Sequence, residues 1–250
     1  MAKNNLTFKR VYNRAVLKIS GEVLAGNGKT GVDETVLSYV SGEIAAARKA
    51  ESETAVVIGG GNFWRGIEEK ISFLSRVDAD AIGMMATVMN SIALKSALEK
   101  QGVPAAVLSR IEVENTAEKY TPAKAGGMLA AGVVVIIAGG TGNPFFTTDT
   151  AAALAAAELK ADVLLKATKV DGVYSEDPVK NPSAKKYDFL SYEEAITKKL
   201  AVMDLAAFSM CMENNIKIIV FNLKEKGSIS KVFAGKKIGT EVTWLTRHLS

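Results

Sequence analysis

The stretch of sequence that decides the fold is VVVIIAGGTGNPFFTTD, residues 133–149. It opens with five consecutive β-branched residues, which predict a strand over 133–137 that is buried on both faces. A glycine-rich loop over 139–148 follows, and the alanine-rich stretch after it predicts a helix over 149–160. A buried strand, a glycine turn and a helix in this order are typical of an α/β fold built on a parallel sheet.

The same order recurs on both sides of this stretch. Short β-branched runs predict strands over 15–19, 54–58, 105–108, 163–165 and 217–221. Helices are predicted over 33–49 with Asp33 as N-cap, over 80–100, and from Pro122 onwards, and a capping box lies at 191–194. We therefore predict an α/β fold with a mainly parallel sheet between helices, in one domain of residues 1–250 with two parts that meet at a cleft.

Composition and charge narrow the class of protein. Hydrophobic residues make up 48% of the 250 residues and charged residues 23%, as in soluble globular proteins. The 31 basic and 27 acidic residues leave a net charge of +4, and no run of like charges forms a patch for nucleic acid. The apolar run over 128–138 is too short for a membrane span, and the N-terminal residues do not form a signal peptide. We expect a cytoplasmic protein that binds neither nucleic acid nor a membrane.

Three glycine-rich turns follow predicted strands, at 18–21 (KISG), 59–62 (GGGN) and 139–143 (GGTGN). In an open parallel sheet, ligands bind at the carboxyl ends of the strands. Glycine lets the backbone approach a phosphate closely, and the N–H groups of a following helix attract an anion. One such turn is usually only a turn, but three in one sheet favour phosphate binding.

Two better-known phosphate motifs are excluded. GNGKT at 26–30 is not a P-loop, because Val23 stands where that motif needs glycine and the predicted helix does not follow directly. The dinucleotide motif G-x-G-x-x-G does not occur in the sequence. The turns therefore indicate phosphate binding of another kind.

The titratable residues exclude several kinds of catalysis. The one histidine, His248, lies near the end of the sequence, so nucleophilic catalysis by a Ser/His or Cys/His pair lacks a base. The one cysteine, Cys211, lies in an apolar helical stretch and is predicted to be a buried thiol, with no partner for an intrachain disulfide.

Phosphoryl transfer to a phosphate acceptor fits this inventory. A phosphate monoester is largely ionised at neutral pH, so its attack needs no strong base. The reaction needs cations that bring two polyanions together. Lys18 and Lys166 are the strongest candidates because each is flanked by apolar strand residues; Arg65, Asp149 and Asp204 are expected nearby.

Several segments, in the same order along the chain, resemble bacterial uridylate kinases of the amino-acid-kinase superfold. LKISGE at 17–22 is typical of the whole superfold. The segments that resemble uridylate kinases are VIGGGNFWRG at 57–66, GMMATVMN at 83–90, GTGNPFFTTD at 140–149, LKATKVDGVY at 165–174 with DP at 177–178, and VMDLAAF at 202–208. The run at 140–149 is the most specific, and the resemblance spans roughly residues 14–243.

The resemblance implies an αβα sandwich in which the N-terminal part, about 11–160, binds UMP and the C-terminal part, about 161–243, binds ATP. It implies that Lys18 and Lys166 stabilise the transferring phosphoryl group and that Arg65 grips phosphate. Asp149 and Asp204 would orient the lysines or organise Mg²⁺, which would come with ATP on its phosphates. The expected UMP site comprises Gly60, Asp80, Thr141, Gly142, Asn143, Pro144, Phe145, Phe146, Thr147 and Thr148. The expected ATP site comprises Lys18, Ile19, Ser20, Gly21, Gly61, Arg65, Thr168, Tyr174 and Asp177.

The resemblance also implies a homohexamer that GTP activates and UTP inhibits, in pyrimidine nucleotide synthesis. Two segments depart from the family pattern: the loop at 25–31, where the response to GTP is communicated, and the tail at 244–250. An apolar stripe at helical spacing, Ile82, Met85, Met89 and Ile92, predicts a core or subunit contact rather than a ligand site.

Two other functions stay open at this point. One is a kinase of the same superfold that acts on a carboxylate or carbamate, which the run at 140–149 disfavours. The other is an anion-storage protein that resembles uridylate kinase and holds metal oxoanions. The joint presence of Lys18, Arg65, Lys166 and Asp149 favours the enzyme.

Overall fold

The computed structural model describes residues 10–28, 30–64, 71–178 and 180–244. Its strands are β1 (Arg14–Ile19), β2 (Glu53–Ile58), β3 (Ala105–Ser109), β4 (Glu118–Lys119), β5 (Val134–Ala138), β6 (Val163–Thr168), β7 (Val173–Tyr174), β8 (Lys186–Tyr187), β9 (Phe189–Ser191), β10 (Lys217–Asn222) and β11 (Thr240–Thr243). Its α-helices are α1 (Gly21–Leu24), α2 (Glu34–Ala47), α3 (Arg76–Lys100), α4 (Pro122–Ala130), α5 (Thr148–Glu158), α6 (Tyr192–Thr197), α7 (Leu205–Glu213) and α8 (Ser228–Phe233), with a 3₁₀ turn at Arg48–Ala50.

Nine of the described strands form one sheet, in the order β4-β3-β5-β2-β1-β6-β10-β11-β9. Its pairs are parallel, except that β11 runs antiparallel to β10. The prediction of a mainly parallel α/β sheet is confirmed. Because β5, β2, β1 and β6 are consecutive neighbours, the turns that follow them meet at one edge of the sheet.

Alternate residues of the central strands feed two cores, one on each face of the sheet. Leu17 and Val56 belong to the core under α2, α3 and α8. Val16 and Val57 belong to the core under α4, α5, α6 and α7. A fully buried aliphatic side chain stabilises the fold by ~1.5–3 kcal/mol, so double burial explains why these strands are almost wholly apolar.

Several predicted helix signals are confirmed. Asp33 caps α2 by accepting the N–H of Val36, and Thr121 caps α4 with Pro122 in its first turn. Ser191 and Glu194 form the predicted capping box at the start of α6. Cys211 is fully buried in α7, and burial raises its pKa to about 12, so it is an inert thiol.

Some predicted boundaries were wrong. The long helix begins at Arg76 rather than Asp80, because Ser75 caps it by accepting the N–H of Asp78. Asp80 therefore lies in the second turn of α3 and not at its start. Helix α5 begins at Thr148 because Thr147 is its N-cap, and β6 continues past its apolar run to Thr168. The turn after β1 contains a short helix, α1, that the sequence did not predict.

Helix α3 buries one side against the sheet and exposes the other. Ala86, Asn90 and Leu94 are buried. The stripe formed by Ile82, Met85, Met89 and Ile92 is 37–49% exposed. The core interpretation of that stripe is wrong for a single chain, and subunit contact stays a prediction.

The same helix has a composition that a membrane span would share. Within the described ranges, α3 alone is long and apolar enough to cross a membrane. Length and composition are weak evidence, because core helices of soluble proteins share them. In this fold α3 packs against α2, β3 and β5.

Candidate active site

Lys18 and Lys166 lie side by side in the centre of the sheet. Strands β1 and β6 are parallel neighbours, and their register makes the two lysines Cα partners. Because side chains alternate along a strand, both lysines point to the face of Val16 and Leu164, which α5 and α7 cover. Two ammonium groups on one face repel each other, so the pair needs a shared anion.

Asp149, in the first turn of α5, is that anion. The Nζ atom of Lys18 lies 2.8 Å from Oδ1 of Asp149, and Nζ of Lys166 lies 2.6 Å from Oδ2. Lys166 also donates a hydrogen bond to the carbonyl of Val202 at 2.7 Å. We call Lys18, Asp149 and Lys166 the lysine–aspartate cluster. One carboxylate between two ammonium groups leaves the cluster with a net positive charge that a phosphate can neutralise.

The pKa values in the cluster follow from the presence of two ammonium groups and only one carboxylate. Burial raises the pKa of Asp149, but the ammonium groups of Lys18 and Lys166 outweigh burial and hold that pKa below its ordinary value. Burial lowers the pKa of Lys166, and Lys18 lowers it further against the opposing effect of Asp149. Asp149 faces two cations and stays ionised, whereas Lys166 faces one anion and one cation and loses its proton more easily than an exposed lysine.

The cluster opens into a surface cavity of about 380 Å³. The cavity is lined by Lys18, Thr147, Thr148, Asp149, Ala201, Met203 and Asp204. The first turn of α5 forms part of its wall, and the N–H groups of a helix start attract anions. The cavity therefore combines Lys18 with a helix N-terminus, and Lys166 lies behind it on the other oxygen of Asp149, an arrangement that suits a phosphate group.

Asp204 lies at this cavity, but it does not hold the lysines by hydrogen bonds. Its carboxylate accepts hydrogen bonds from the hydroxyls of Thr147 and Thr150 and from the N–H of Ala207. It thereby caps α7 and ties that helix to the start of α5. Asp204 contributes to the charge around Lys166 from a distance. The expectation that Asp204 orients the lysines or organises Mg²⁺ stays a prediction, although its carboxylate bonds to the two threonines and to Ala207 and not to a lysine.

The loop between β5 and α5 carries the residues expected to bind UMP. Its glycines Gly139, Gly140 and Gly142 have φ of +80°, +59° and +80°, values that only glycine adopts freely. The N–H of Gly139 donates to Oγ1 of Thr87 in α3, at 2.8 Å. Thr141 bonds to the backbone of Asn143, which closes a tight turn. Helix α3 thus holds one side of this loop.

Two further contacts position the rest of the loop. The N–H of Phe145 donates to Oδ2 of Asp80 at 2.7 Å, and Thr147 bonds to Asp204. Thr148 lines the cavity. The side chains of Phe145 and Phe146 are 64% and 51% exposed. The structure thus brings Asp80 and the loop together, at one edge of the sheet.

The glycine turns after β1 and β2 contact each other directly. A Cβ atom on Gly21 would lie 2.2 Å from the carbonyl oxygen of Gly59, a distance that no side chain tolerates. The N–H of Gly59 donates to the carbonyl of Ile19 at 2.9 Å. A Cβ on Gly60 would meet α3 at Ala86, 2.7 Å away. Glycine is required here by close packing between two turns and a helix.

The residues expected to bind ATP lie on several elements. Ile19 ends β1, Ser20 and Gly21 begin the turn after it, Gly61 lies in the turn after β2, and Thr168 ends β6. Tyr174 is in β7, and its hydroxyl donates to Asp171 at 2.6 Å rather than to the lysine–aspartate cluster. Asp177 follows the same β-hairpin strand. Arg65 lies outside the described residues, as does His248.

A sequence model of the amino acid kinase family matches residues 13–222. The chain belongs to this family. The match takes in β1, every glycine turn described above and all of the lysine–aspartate cluster.

Solved structures of UMP kinases are similar to this member of the family over nearly its whole length. The UMP kinase from Bacillus anthracis is 34% identical with a TM-score of 0.90, covering 93% of this chain and 96% of that chain. The UMP kinase from Ureaplasma parvum is 37% identical with a TM-score of 0.87, covering 92% and 98%. The uridylate kinase from Archaeoglobus fulgidus is 30% identical with a TM-score of 0.72, covering 92% and 99%. The predicted amino-acid-kinase fold is confirmed, and these neighbours support an enzyme of the kinase class.

Sequence reasoning missed the buried amide pair that holds this kinase fold together behind the site. The side chains of Asn62 and Asn90 donate to each other, at 2.9 and 2.7 Å. Asn62 also donates to the carbonyl of Gly31, and Asn90 to that of Gly59. Because buried amides must be satisfied, these four hydrogen bonds set the turn after β2 against α3. The sequence signal that could have revealed this pair is Asn90, a polar residue on the buried, otherwise largely apolar face of α3.

Asp149 and Asp204 are the carboxylates at the site that could lie beside a Mg²⁺ ion. The described residues contain no cluster of three or more candidate metal ligands. Both oxygens of Asp149 are paired with lysines, and both oxygens of Asp204 accept hydrogen bonds. Mg²⁺ is commonly bound through substrate phosphates with one or two carboxylates, so these residues fit an ion carried by the nucleotide with Asp149 or Asp204 beside it.

Proposed function

We propose that this protein is a UMP kinase that transfers the γ-phosphoryl group of Mg-ATP to UMP and releases UDP and ADP. The observation that carries the proposal is the lysine–aspartate cluster, which lies where the glycine turns meet. The similarity to UMP kinases, with TM-scores of 0.90 and 0.87, supports UMP as the acceptor.

The reaction needs positioning and cations more than acid–base catalysis. An oxygen of the UMP phosphate forms a bond to the γ-phosphorus while the bond from that phosphorus to ADP breaks, and ADP leaves with the electron pair. The second pKa of a phosphate monoester is about 6, so the attacking oxygen is already ionised at neutral pH. The proposed reaction therefore needs no general base, in keeping with a sequence that contains a single histidine.

The cluster supplies the cations for this reaction. In the proposed reaction the two ammonium groups turn part of their contact from Asp149 to the oxygens of the transferring group. Asp149 holds them side by side at the cavity wall, one on each carboxylate oxygen. Mg²⁺ bound to the ATP phosphates supplies further positive charge there.

We propose separate binding sites for the two substrates around the lysine–aspartate cluster. Asp80 and the segment Thr141, Gly142, Asn143, Pro144, Phe145, Phe146, Thr147 and Thr148 would hold UMP, with Gly60 beside it. The turn at Ile19, Ser20, Gly21 and Gly61, together with Thr168, Tyr174 and Asp177, would hold ATP, assisted by Arg65. We propose for the same enzyme a role in pyrimidine nucleotide synthesis in the cytoplasm, activation by GTP, inhibition by UTP and assembly as a homohexamer.

An acceptor panel tests the proposal. ADP release with Mg-ATP is measured by a coupled assay with UMP, dUMP, CMP, GMP and carboxylate acceptors. UMP should give the highest kcat/KM. Preference for a carboxylate would make the protein another kinase of the family, and tight anion binding without ADP release would make it a storage protein.

Substitution of the lysines tests their role. Lys18→Met or Lys166→Met should lower kcat by ~100-fold or more with little change in the binding of UMP, because the charge acts mainly in the transition state. Met keeps the length of the side chain and its apolar stem. Lys198→Met, at an exposed lysine of the described surface, is the matched control and should keep wild-type kcat. Near-normal kcat in both cluster variants would contradict the role.

A further inference from the structure

One carboxylate oxygen joins three residues beside the loop expected to bind UMP. Oδ2 of Asp80 accepts the N–H of Phe145 at 2.7 Å and Nε of Arg76 at 2.8 Å. The guanidinium carbon of Arg76 lies 5.8 Å from the centre of the Phe145 ring, within cation–π range. We call Arg76, Asp80 and Phe145 the α3–loop clamp. Helix α3 supplies two of its members and the loop supplies the third.

The clamp holds a residue in an unfavourable backbone conformation. Phe145 has φ of +73°, in the left-handed region that residues other than glycine seldom adopt. Its ring is 64% exposed, so burial of the side chain does not hold the backbone there. Such strain persists only where surrounding contacts over-determine it. The hydrogen bond to Asp80 and the guanidinium beside the ring are the contacts that do so.

The two oxygens of Asp80 differ in their contacts with the described residues. None of the described residues donates a hydrogen bond to Oδ1, and the carboxylate lies at the edge where the loop meets α3. Arg76 and the Phe145 N–H both engage Oδ2, so together they set the rotation of the carboxyl group and the direction of Oδ1. A hydroxyl of a bound acceptor is a donor of the right kind.

We infer that Arg76 is a positioning residue for the acceptor, acting through Asp80 and Phe145. This inference rests on the proposed function, in which the loop from Thr141 to Thr148 binds UMP. Arg76 fixes the orientation of Asp80 and the strained backbone at Phe145, so the loop is already shaped before the acceptor binds. Pre-organisation of this kind raises affinity by lowering the ordering that binding requires.

The test compares Arg76→Ala and Arg76→Lys with a matched control. The control is Lys95→Ala. Lys95 forms an i,i+4 ion pair with Glu99 on the same helix, its exposure is similar to that of Arg76, and it lies away from the loop. Arg76→Ala should raise KM for UMP by about ten-fold, as expected for loss of a charged hydrogen bond, while kcat and KM for ATP stay within about two-fold. Arg76→Lys keeps the charge and should recover part of the loss. Lys95→Ala should match the wild type.

Amide hydrogen exchange gives a readout that does not depend on activity. Peptides that cover Phe145 should exchange about ten-fold faster in Arg76→Ala than in the wild type, and Lys95→Ala should leave them unchanged. Unchanged exchange together with unchanged KM would overturn the inference. An equal loss for UMP and ATP with a lower Tm would also overturn it, because it would show a purely structural role.

The same experiment separates this inference from the proposed function. If the wild type prefers an acceptor other than UMP, the proposed function fails, and the KM comparison is made with the preferred acceptor. If the wild type phosphorylates no acceptor, hydrogen exchange at Phe145 decides the role of Arg76 by itself.

Discussion

At the scale of single residues, Asp149 affects both the positions of the two lysines and the pKa of Lys166. It brings Lys18 and Lys166 together on one face of the sheet, against their mutual repulsion. It also raises the pKa of Lys166, although burial and Lys18 lower that pKa more. The carboxylate therefore holds two ammonium groups with a single negative charge, which leaves an excess of positive charge for a phosphate.

This balance predicts the pH dependence of the reaction. A lysine whose pKa is lowered loses its charge at a lower pH than an ordinary lysine, so kcat/KM should fall as pH rises, below the usual range of lysine titration. Asp149→Asn removes a group that raises the pKa of Lys166, so it should move this alkaline limb to still lower pH and reduce kcat. The measurement is kcat/KM for UMP against pH.

The control for this prediction is an exposed carboxylate–lysine pair. Glu118→Gln removes the partner of Lys124, which lies on the surface, and should leave the pH profile unchanged. An alkaline limb that stays in place in Asp149→Asn would mean that Lys166 does not set it.

At the scale of secondary-structure elements, the site depends on how closely the turns after β1 and β2 approach. The missing side chain of Gly21 permits contact with the carbonyl of Gly59, and the amide pair of Asn62 and Asn90 fixes the second turn against α3. Since Lys18 lies three residues before Gly21, a shift of this turn displaces β1 at the site. The elements therefore transmit a packing change directly to the cluster.

Gly21→Ala tests this packing. The new Cβ would lie 2.2 Å from the Gly59 oxygen and 2.9 Å from Oδ1 of Asn62, so the turns must move apart. Overpacking of this kind should lower the free energy of unfolding by about 1–3 kcal/mol and reduce kcat. Urea denaturation and steady-state kinetics are the measurements.

Gly42→Ala is the matched control, and it should raise the free energy of unfolding where Gly21→Ala lowers it. Gly42 lies inside α2, and a Cβ there would have no neighbour within 4 Å. Because alanine favours a helix more than glycine, this variant should gain about 0.5–1 kcal/mol and keep its activity. Equal stability of the two variants would show that the turns are not tightly packed.

At the scale of the whole molecule, the exposed stripe on α3 is the feature that a single chain does not explain. Ile82, Met85, Met89 and Ile92 leave 37–49% of their surfaces exposed along one face of the longest helix described. Aligned apolar side chains on one helix face are typical of an interface. The opposite face of α3 contacts the glycine turn after β2 and the loop between β5 and α5. An assembly through the stripe would therefore use the same helix that positions these segments at the site.

Light scattering on purified protein tests this assembly. The wild type should have the mass of a homohexamer at micromolar concentration. The double variant Met85→Glu/Met89→Glu should form smaller species, because it places charges in the stripe. Ile196→Glu, at an exposed apolar residue of α6, is the control and should keep the wild-type mass. A monomeric wild type would contradict the prediction.

The sequence by itself predicted the six longer strands, most of the longer helices and the chemistry they carry. β-branched runs, caps such as Asp33 and Ser191, and glycines after strands are local signals, because each acts through a few neighbouring residues. They sufficed to predict a parallel α/β sheet, and the segment at 140–149 identified a resemblance that the fold comparison bears out.

Only the tertiary structure decided which residues meet. The strand order places β1 beside β6, and their register sets Lys18 against Lys166, which no local pattern specifies. Asp204 turns to Thr147 and Thr150, and Asp80 to Phe145, because hydrogen bonds between distant segments depend on the packing of whole helices. Tertiary packing therefore decides which donors each carboxylate binds, because local sequence signals act only between residues that are near one another in the chain.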